Sequence, residues 1–173
     1  MTTHQSIRAV LLGVAVALPG AALAQDADTP SVPGPVVDAQ WALEHQDDIT
    51  LLNVSRRPSN YDATGFVEGA PFVGMSEFLT ERPGMKDTIR YLAPSAGEFE
   101  TVVQGLGVDD GDTIVIAPAG DTVYGDATAA TRFYWQLRYF GHDNVAILNG
   151  GAAAWDGAGG AVSDSPGSGA NGT

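Results

Sequence analysis

The segment GDTIVIAPAGDTVYGD, residues 111–126, predicts a strand, a loop and the start of a helix. Residues 113–117 form a short apolar run rich in β-branched side chains, which is typical of a strand buried on both faces. Pro118 has no amide proton for a strand ladder, so the strand is expected to end there. Asp126 is a suitable N-cap for the helix that follows.

The helix after Asp126 carries apolar residues three and four positions apart, which form one core-facing stripe: Ala130, Phe133, Tyr134, Leu137 and Phe140. Gly141 is expected to end this helix, and a second β-branched run follows at residues 145–148. The pattern is a βαβ unit, and open α/β sheets bind ligands in loops at the carboxyl ends of their strands. The loop at residues 118–125 is therefore the candidate site.

The rest of the chain predicts a few short elements and one long loop. The predicted elements are a helix at 38–46 that buries Trp41 and Leu43 or nearby residues, strands at 49–54 and 70–73, and helices at 95–106 and 151–158. Ser95 and Glu98 have the spacing of a capping box at the start of the helix at 95–106. Residues 76–94 lack periodicity and contain Pro83-Gly84, so we expect mostly loop there, suited to a partner surface.

Residues 132–155, RFYWQLRYFGHDNVAILNGGAAAW, resemble the end of a rhodanese domain. Three earlier motifs agree in order: QWAL at 40–43, LLNV at 51–54 and GFVEGA at 65–70. The resemblance covers residues 36–162 and is greatest to the first, non-catalytic domain of tandem thiosulfate/3-mercaptopyruvate sulfurtransferases. It implies an α/β, three-layer fold with a mostly parallel five-stranded sheet and helices on both faces.

Active rhodaneses, as the resemblance implies, place a cysteine directly after the central strand, inside a ring of backbone amides that stabilises an anionic persulfide. This chain has no cysteine, and Pro118, or Ala117 if the alignment shifts by one, stands at the matching position. Neither residue can carry sulfur, and Pro118 also removes one amide donor. No lysine or arginine lies between Ala117 and Thr131, whereas Asp121 and Asp126 would repel an anion. We therefore assign no catalytic residue and expect no sulfur transfer by this domain alone.

Weaker ligand candidates remain around the loop: Gly120, Asp121, Tyr124, Gly125, Asp126 and Arg132. The favoured structural roles are a turn at Asp121, a helix cap at Asp126 and a loop anchor at Tyr124. Arg132 could reach an anion at the loop, although an ion pair with Asp126 or Asp121 is favoured. An isolated aspartate pair is weak support for a divalent cation or for acid–base chemistry, so we predict no metal and no cofactor.

Two family motifs are altered. The Asp-x-Arg that rhodaneses commonly carry after the first strand is Asn53-Val54-Ser55 here, so both charges are absent together and neither would be buried alone. Arg56 and Arg57 could still supply a positive patch nearby. The histidine of the family's Gly-His-Ile-x-Gly-Ala motif is replaced by Phe66, while its glycines are kept.

The termini and the charge indicate a location and exclude some partners. Arg8, an apolar run at 9–18 and Ala22-Leu23-Ala24 predict a cleavable signal peptide at residues 1–24, too short to span a bilayer. Residues 25–35 are expected to be a flexible leader, and residues 163–173 a disordered Ser/Gly-rich tail. The net charge of −13 argues against nucleic acid and anionic membranes, and it slows the approach of anionic substrates. A periplasmic or secreted protein without a membrane anchor is the expectation.

Two functions remain open on the sequence. The first is a secreted, catalytically silent rhodanese domain that binds a protein partner, for example a second rhodanese domain. The alternative is the non-catalytic half of a tandem or split thiosulfate sulfurtransferase whose cysteine lies on another domain or chain.

Overall fold

The computed structural model describes residues 30–120, 126–169 and 172. Its elements follow one another as β1 (Val36–Val37), α1 (Ala39–Glu44), β2 (Thr50–Ser55), a 3-10 turn (Pro58–Tyr61), β3 (Phe66–Val67), β4 (Phe72–Gly74), β5 (Thr80–Pro83), β6 (Thr88–Leu92), α2 (Ala96–Gly105), β7 (Ile114–Ala117), α3 (Asp126–Tyr139), β8 (Val145–Leu148), α4 (Gly151–Gly157) and β9 (Val162–Ser163).

Five parallel strands form the main sheet in the order β1-β8-β7-β2-β4. The central strand β7 lies between β2 and β8, and all four of its residues are buried. The predicted βαβ unit is confirmed, because β7, α3 and β8 occupy the expected residues and Gly141 follows the helix with a φ of 104°. The predicted α/β class with a five-stranded parallel sheet is confirmed with it.

Alternate residues of the strands face opposite layers, as the pleat of a strand requires. Leu52 and Ile116 point to the layer of α2 and α3, where Phe133 is fully buried. Val115 and Ala117 point to the layer of α1 and α4. Burying each large side chain contributes roughly 1.5–3 kcal/mol, so the two layers together hold the parallel sheet.

Two of the predicted helix caps, Asp38 and Ser95, are present. Asp38 Oδ1 accepts a hydrogen bond from Trp41 N at 2.8 Å, and Ser95 with Glu98 forms a complete capping box. The hydrogen bonds from Ser95 lower the pKa of Glu98. One detail of α1 differs from the expectation, since the helix ends at Glu44 and its buried residues are Ala39 and Ala42, while Trp41 and Leu43 are only partly buried.

The prediction that residues 76–94 are mostly loop is wrong. β5 and β6 pair antiparallel as a separate hairpin, closed at its tip by a hydrogen bond from Gly84 N to Asp87 O at 2.9 Å. Its strands are largely exposed, so they show neither the apolar run nor the alternation by which sequence reasoning detects a strand.

The described parts of the two segments predicted to be flexible or disordered make hydrogen bonds to the rest of the domain. β9 pairs antiparallel with β3, and Gly167 N donates to Ala70 O at 2.9 Å. A Cβ at Gly167 would lie 2.0 Å from Gly69 O, so glycine here permits a close approach of the two backbone segments. Before β1, Val32 N donates to Asn144 Oδ1 at 2.9 Å.

The signal peptide predicted at residues 1–24 lies outside the described residues, and so does the first part of the leader. In the described part of the chain no helix has the length and apolar character needed to cross a membrane.

Candidate functional site

The loop predicted as the site leaves the sheet at the carboxyl end of β7. Pro118 and Ala119 follow the strand and are both buried. Pro118 O accepts a hydrogen bond from Ala152 N at 2.7 Å, and Ala119 O accepts one from Ala153 N at 3.2 Å. The first two residues of the loop are therefore fixed against the amino-terminal turn of α4.

Two glycines make this close contact possible. Gly120 has a φ of 95°, and a Cβ there would lie 2.2 Å from Gly150 O. Gly151 has a φ of 59°, and a Cβ there would lie 2.0 Å from Pro118 O. Larger residues would meet backbone atoms, which cannot rotate away, so Gly120 has a packing role whether or not the loop holds a ligand.

Asp121, Tyr124 and Gly125 lie outside the described residues, and their proposed roles stay predictions. Among the residues that the structure does describe, no three His, Asp or Glu side chains come together as a group able to hold a metal ion.

Asp126, the first residue of α3, is 1% exposed. Its Oδ1 accepts a hydrogen bond from Asn60 Nδ2 at 2.6 Å, and its negative charge lies at the helix end where the macrodipole is positive. The adjacent Tyr61 hydroxyl donates to Ala117 O at 2.6 Å. The 3-10 turn that carries Asn60 and Tyr61 thus connects β2 to both ends of the loop, a role that sequence reasoning missed.

Tyr61 is a buried, neutral hydrogen-bond donor. Burial raises the pKa of its phenol well above the ordinary value of 10.0, and the negative charge of Asp126 raises this pKa further. Because both effects oppose ionisation, the hydroxyl keeps its proton and holds the backbone of Ala117, directly before the loop.

Asn53 lies at the carboxyl end of β2 and is fully buried. Its Nδ2 donates to Ala70 O at 2.9 Å and to Val67 O at 3.2 Å, and its Oδ1 accepts from Val67 N at 3.0 Å. An aspartate could not donate either of the first two bonds. We call Asn53, Asn60, Tyr61 and Asp126 the polar cluster.

Ser55, the other altered family position, is fully buried as well. Its hydroxyl donates to Arg57 O at 2.7 Å and accepts from Arg57 N at 3.2 Å. The two uncharged residues in place of the family's Asp and Arg thus each find neutral partners, which agrees with the absence of both charges in the sequence.

Arg132, predicted to reach the loop or to pair with Asp126 or Asp121, is directed elsewhere. Its Nη2 donates to Tyr91 O at 3.2 Å, and its guanidinium carbon lies 5.0 Å from the ring centroid of Trp135. Its Nε is buried and has no hydrogen-bond partner among the described residues. These contacts join α3 to the hairpin; binding of an anion by Arg132 stays a prediction.

Similarity to solved structures identifies the fold. The crystal structure of SseA from Escherichia coli, which has the "Rhodanese" fold of 3-mercaptopyruvate sulfotransferases, matches this chain with a TM-score of 0.60 at 21% identity, and the match covers 80% of this chain and 54% of SseA. The crystal structure of YnjE matches with a TM-score of 0.57 at 17% identity, over 80% of this chain and 32% of that one. The chain has the rhodanese fold.

Curated proteins with similar sequences agree with the rhodanese fold. Thiosulfate/3-mercaptopyruvate sulfurtransferase 2 of Arabidopsis thaliana is 28% identical over 120 residues, which are 69% of this chain and 30% of the relative. The 3-mercaptopyruvate sulfurtransferase of Escherichia coli is 29% identical over 129 residues, 69% of this chain and 43% of the relative. The sulfur carrier protein TtuD of Thermus thermophilus is 29% identical over 127 residues, 71% of this chain and 40% of the relative. No family model matches the chain.

The chain therefore has the rhodanese fold and is similar in sequence to curated thiosulfate/3-mercaptopyruvate sulfurtransferases. It spans less than half of the length of each of these curated relatives.

Proposed function

We propose that this chain is a rhodanese-fold binding module that does not transfer sulfur by itself. The observation that carries the proposal is Pro118, which is buried at the end of β7 where the rhodanese resemblance places the nucleophile, in a chain without cysteine. Sulfur transfer through a persulfide requires a thiolate, and no other side chain supplies that chemistry. A secreted or periplasmic location belongs to the same proposal and rests on residues 1–24.

The polar groups beneath the loop support a structural role for the site. The Tyr61 hydroxyl is neutral and bonded to Ala117 O, and the Asp126 carboxylate is buried against Asn60. Groups held in this way stabilise the backbone around the loop, whereas a general base must be free to accept a proton from a substrate.

A set of neighbouring, mostly exposed residues offers a surface for a protein partner. Tyr91 on β6 is 67% exposed, and its carbonyl binds Arg132, which in turn lies over Trp135. The Trp135 and Tyr139 rings stack with centroids 5.0 Å apart, and both are exposed. We call these four residues the aromatic strip. Tryptophan, tyrosine and arginine dominate the binding energy of protein interfaces, so the strip is the proposed docking surface.

A sulfurtransferase assay with thiosulfate and cyanide on the purified chain tests the silent site. We expect the rate of the uncatalysed mixture. Pro118→Cys serves as a second variant: because position 118 is buried, its thiol should react with a disulfide reagent more slowly than free cysteine and should confer no turnover. A reproducible rate from the unmodified chain would refute the proposal.

The alternative, a non-catalytic half of a split sulfurtransferase, is favoured by one observation. The curated relatives extend well beyond the aligned region, which is 30–43% of their lengths. If this alternative holds, mixing the chain with a cysteine-bearing rhodanese domain encoded beside it should form a complex and raise the rate of that domain. Trp135→Ala with Tyr139→Ala should weaken the complex, while the exposed Asn149→Ala should not. Neither association nor a change in rate would reject the alternative.

A further inference from the structure

The positive charges of this acidic protein are concentrated on one side. Apart from Arg8 and Arg138, every lysine and arginine in the sequence lies on the β5–β6 hairpin, directly after β2, or in contact with the hairpin from α3: Arg56, Arg57, Arg82, Lys86, Arg90 and Arg132. Because the net charge of the protein is −13, most of its surface repels anions. Local attraction is therefore restricted to this side.

A cleft of about 400 Å³ opens between the end of β2 and the hairpin. Arg56 and Arg57 line it from the residues directly after β2, Glu81 lines it from β5, and Arg90 and Tyr91 line it from β6. Its apolar lining includes Met75 and Leu79. The volume falls in the range of small-molecule sites, which combine apolar walls with a few charged groups. We call it the arginine cleft.

The guanidinium groups of the cleft are available to a ligand. Across residues 30–120, 126–169 and 172, no ion pair or hydrogen bond engages the guanidinium of Arg56 or Arg57. Arg90 Nε lies 3.5 Å from Glu81 Oε2, but both side chains are about two-thirds exposed, and such surface pairs contribute little. Guanidinium groups bind carboxylate, phosphate and sulfonate oxygens in a fixed, often bidentate geometry.

Tyr91 is held at the edge of the cleft by an unusual backbone conformation. Its φ is 60°, the left-handed region that a tyrosine seldom adopts, and its carbonyl is bound by Arg132 Nη2. Such strain is found where a side chain must be presented in a particular direction, and the exposed phenol ring offers a flat surface beside the arginines.

We propose that the arginine cleft binds a small organic anion, in which a carboxylate, phosphate or sulfonate contacts Arg56, Arg57 and Arg90 and an aromatic or apolar body packs against Tyr91, Met75 and Leu79. The proposal depends neither on the silent loop nor on a protein partner, so it can fail or succeed separately from the function proposed above.

Calorimetric titration with phenyl phosphate, inorganic phosphate and phenol tests this assignment. Phenyl phosphate should bind at one saturable site, more tightly than inorganic phosphate, and phenol should not bind detectably. Arg56→Gln with Arg57→Gln should weaken binding of phenyl phosphate tenfold or more, because two charge-assisted contacts are lost. Arg138→Gln is the matched control, since that exposed arginine pairs with Asp143 away from the cleft, and it should leave the affinity unchanged.

Tyr91→Gly separates the aromatic contact from the charge contacts. Glycine accepts the φ of 60° without strain, so the variant should fold, bind inorganic phosphate as before, and lose affinity for phenyl phosphate. Absence of phenyl phosphate binding, equal binding by the double arginine variant, or binding of an acidic peptide alone would overturn the proposal. The last result would assign the cleft to the protein partner instead.

Discussion

Two sets of polar residues meet at the carboxyl end of β2 and differ in their burial and in their hydrogen bonding. Asn53 and Ser55 are fully buried; the side chain of Asn53 binds the backbone of Ala70, and that of Ser55 binds the backbone of Arg57. Arg56 and Arg57, the next residues along the chain, are exposed and line the arginine cleft. Asn53 and Ser55 therefore stabilise the fold, because a buried polar group is costly unless it is bonded. The cleft contributes little to stability, and its free donors are what a ligand would bind.

The largest effect is expected from Asn53→Asp in the polar cluster. A carboxylate cannot donate to Val67 O and Ala70 O, and it would be a buried charge facing two carbonyl oxygens, so the free energy of unfolding should fall by about 3–5 kcal/mol at pH 7. The deficit should shrink at acid pH as the carboxyl is protonated. Urea unfolding at both pH values measures this, with Asn149→Asp as an exposed control expected to change stability by less than about 0.5 kcal/mol. If Asn53→Asp lowers the free energy of unfolding no more than the control does, the polar cluster does not stabilise the fold.

Tyr61→Phe should cost about 1–2 kcal/mol, because the hydrogen bond to Ala117 O is lost in a buried site. The raised pKa also predicts an alkaline effect. Above pH 10.0 the unfolded chain releases the proton of Tyr61 while the folded chain keeps it, so this residue alone lowers wild-type stability by about 1.4 kcal/mol per pH unit.

The difference in stability between wild type and Tyr61→Phe should accordingly narrow as the pH rises from 9 to 11. Tyr139→Phe is the control, because Tyr139 is 64% exposed. Parallel pH profiles for wild type and Tyr61→Phe would contradict the assignment of a buried, neutral phenol.

A smaller effect is expected on the cleft side, at Tyr91. Tyr91→Gly relieves the left-handed strain that Tyr91→Ala retains, so the glycine variant should be more stable than the alanine variant by roughly 0.5–1 kcal/mol. Thermal unfolding of the two variants measures this difference. An alanine variant as stable as the glycine variant would show that the hairpin relaxes and that Tyr91 is not held in place.

The smallest effect should come from Arg56→Gln with Arg57→Gln, which should alter the free energy of unfolding by less than about 0.5 kcal/mol, because both side chains are exposed. The same variant should lose ligand affinity, so its unfolding curve and its titration together separate the two regions. A large loss of stability would mean that the arginines belong to the scaffold.

Sequence reasoning was most successful where a residue pattern was compatible with only one local structure. The buried run at β7, most of the apolar stripe along α3 and the capping box at Ser95 were located correctly, since each depends on contacts within a short stretch of chain or on uniform burial. It failed at the β5–β6 hairpin, whose exposed strands pair with each other, and it did not foresee the hydrogen bond from Gly167 N to Ala70 O, which joins residues about a hundred positions apart.

By itself, the sequence determined the order of strands and helices around the central βαβ unit and the absence of a thiol, because periodicity, capping and composition are local properties. The tertiary structure decided which polar residues are bonded and which are free. Asn53 and Arg57 are only four positions apart. Asn53 is buried and hydrogen-bonded to β3, whereas Arg57 is an exposed cation that lines the cleft beside the hairpin. That distinction depends on long-range neighbours, which no short stretch of sequence contains.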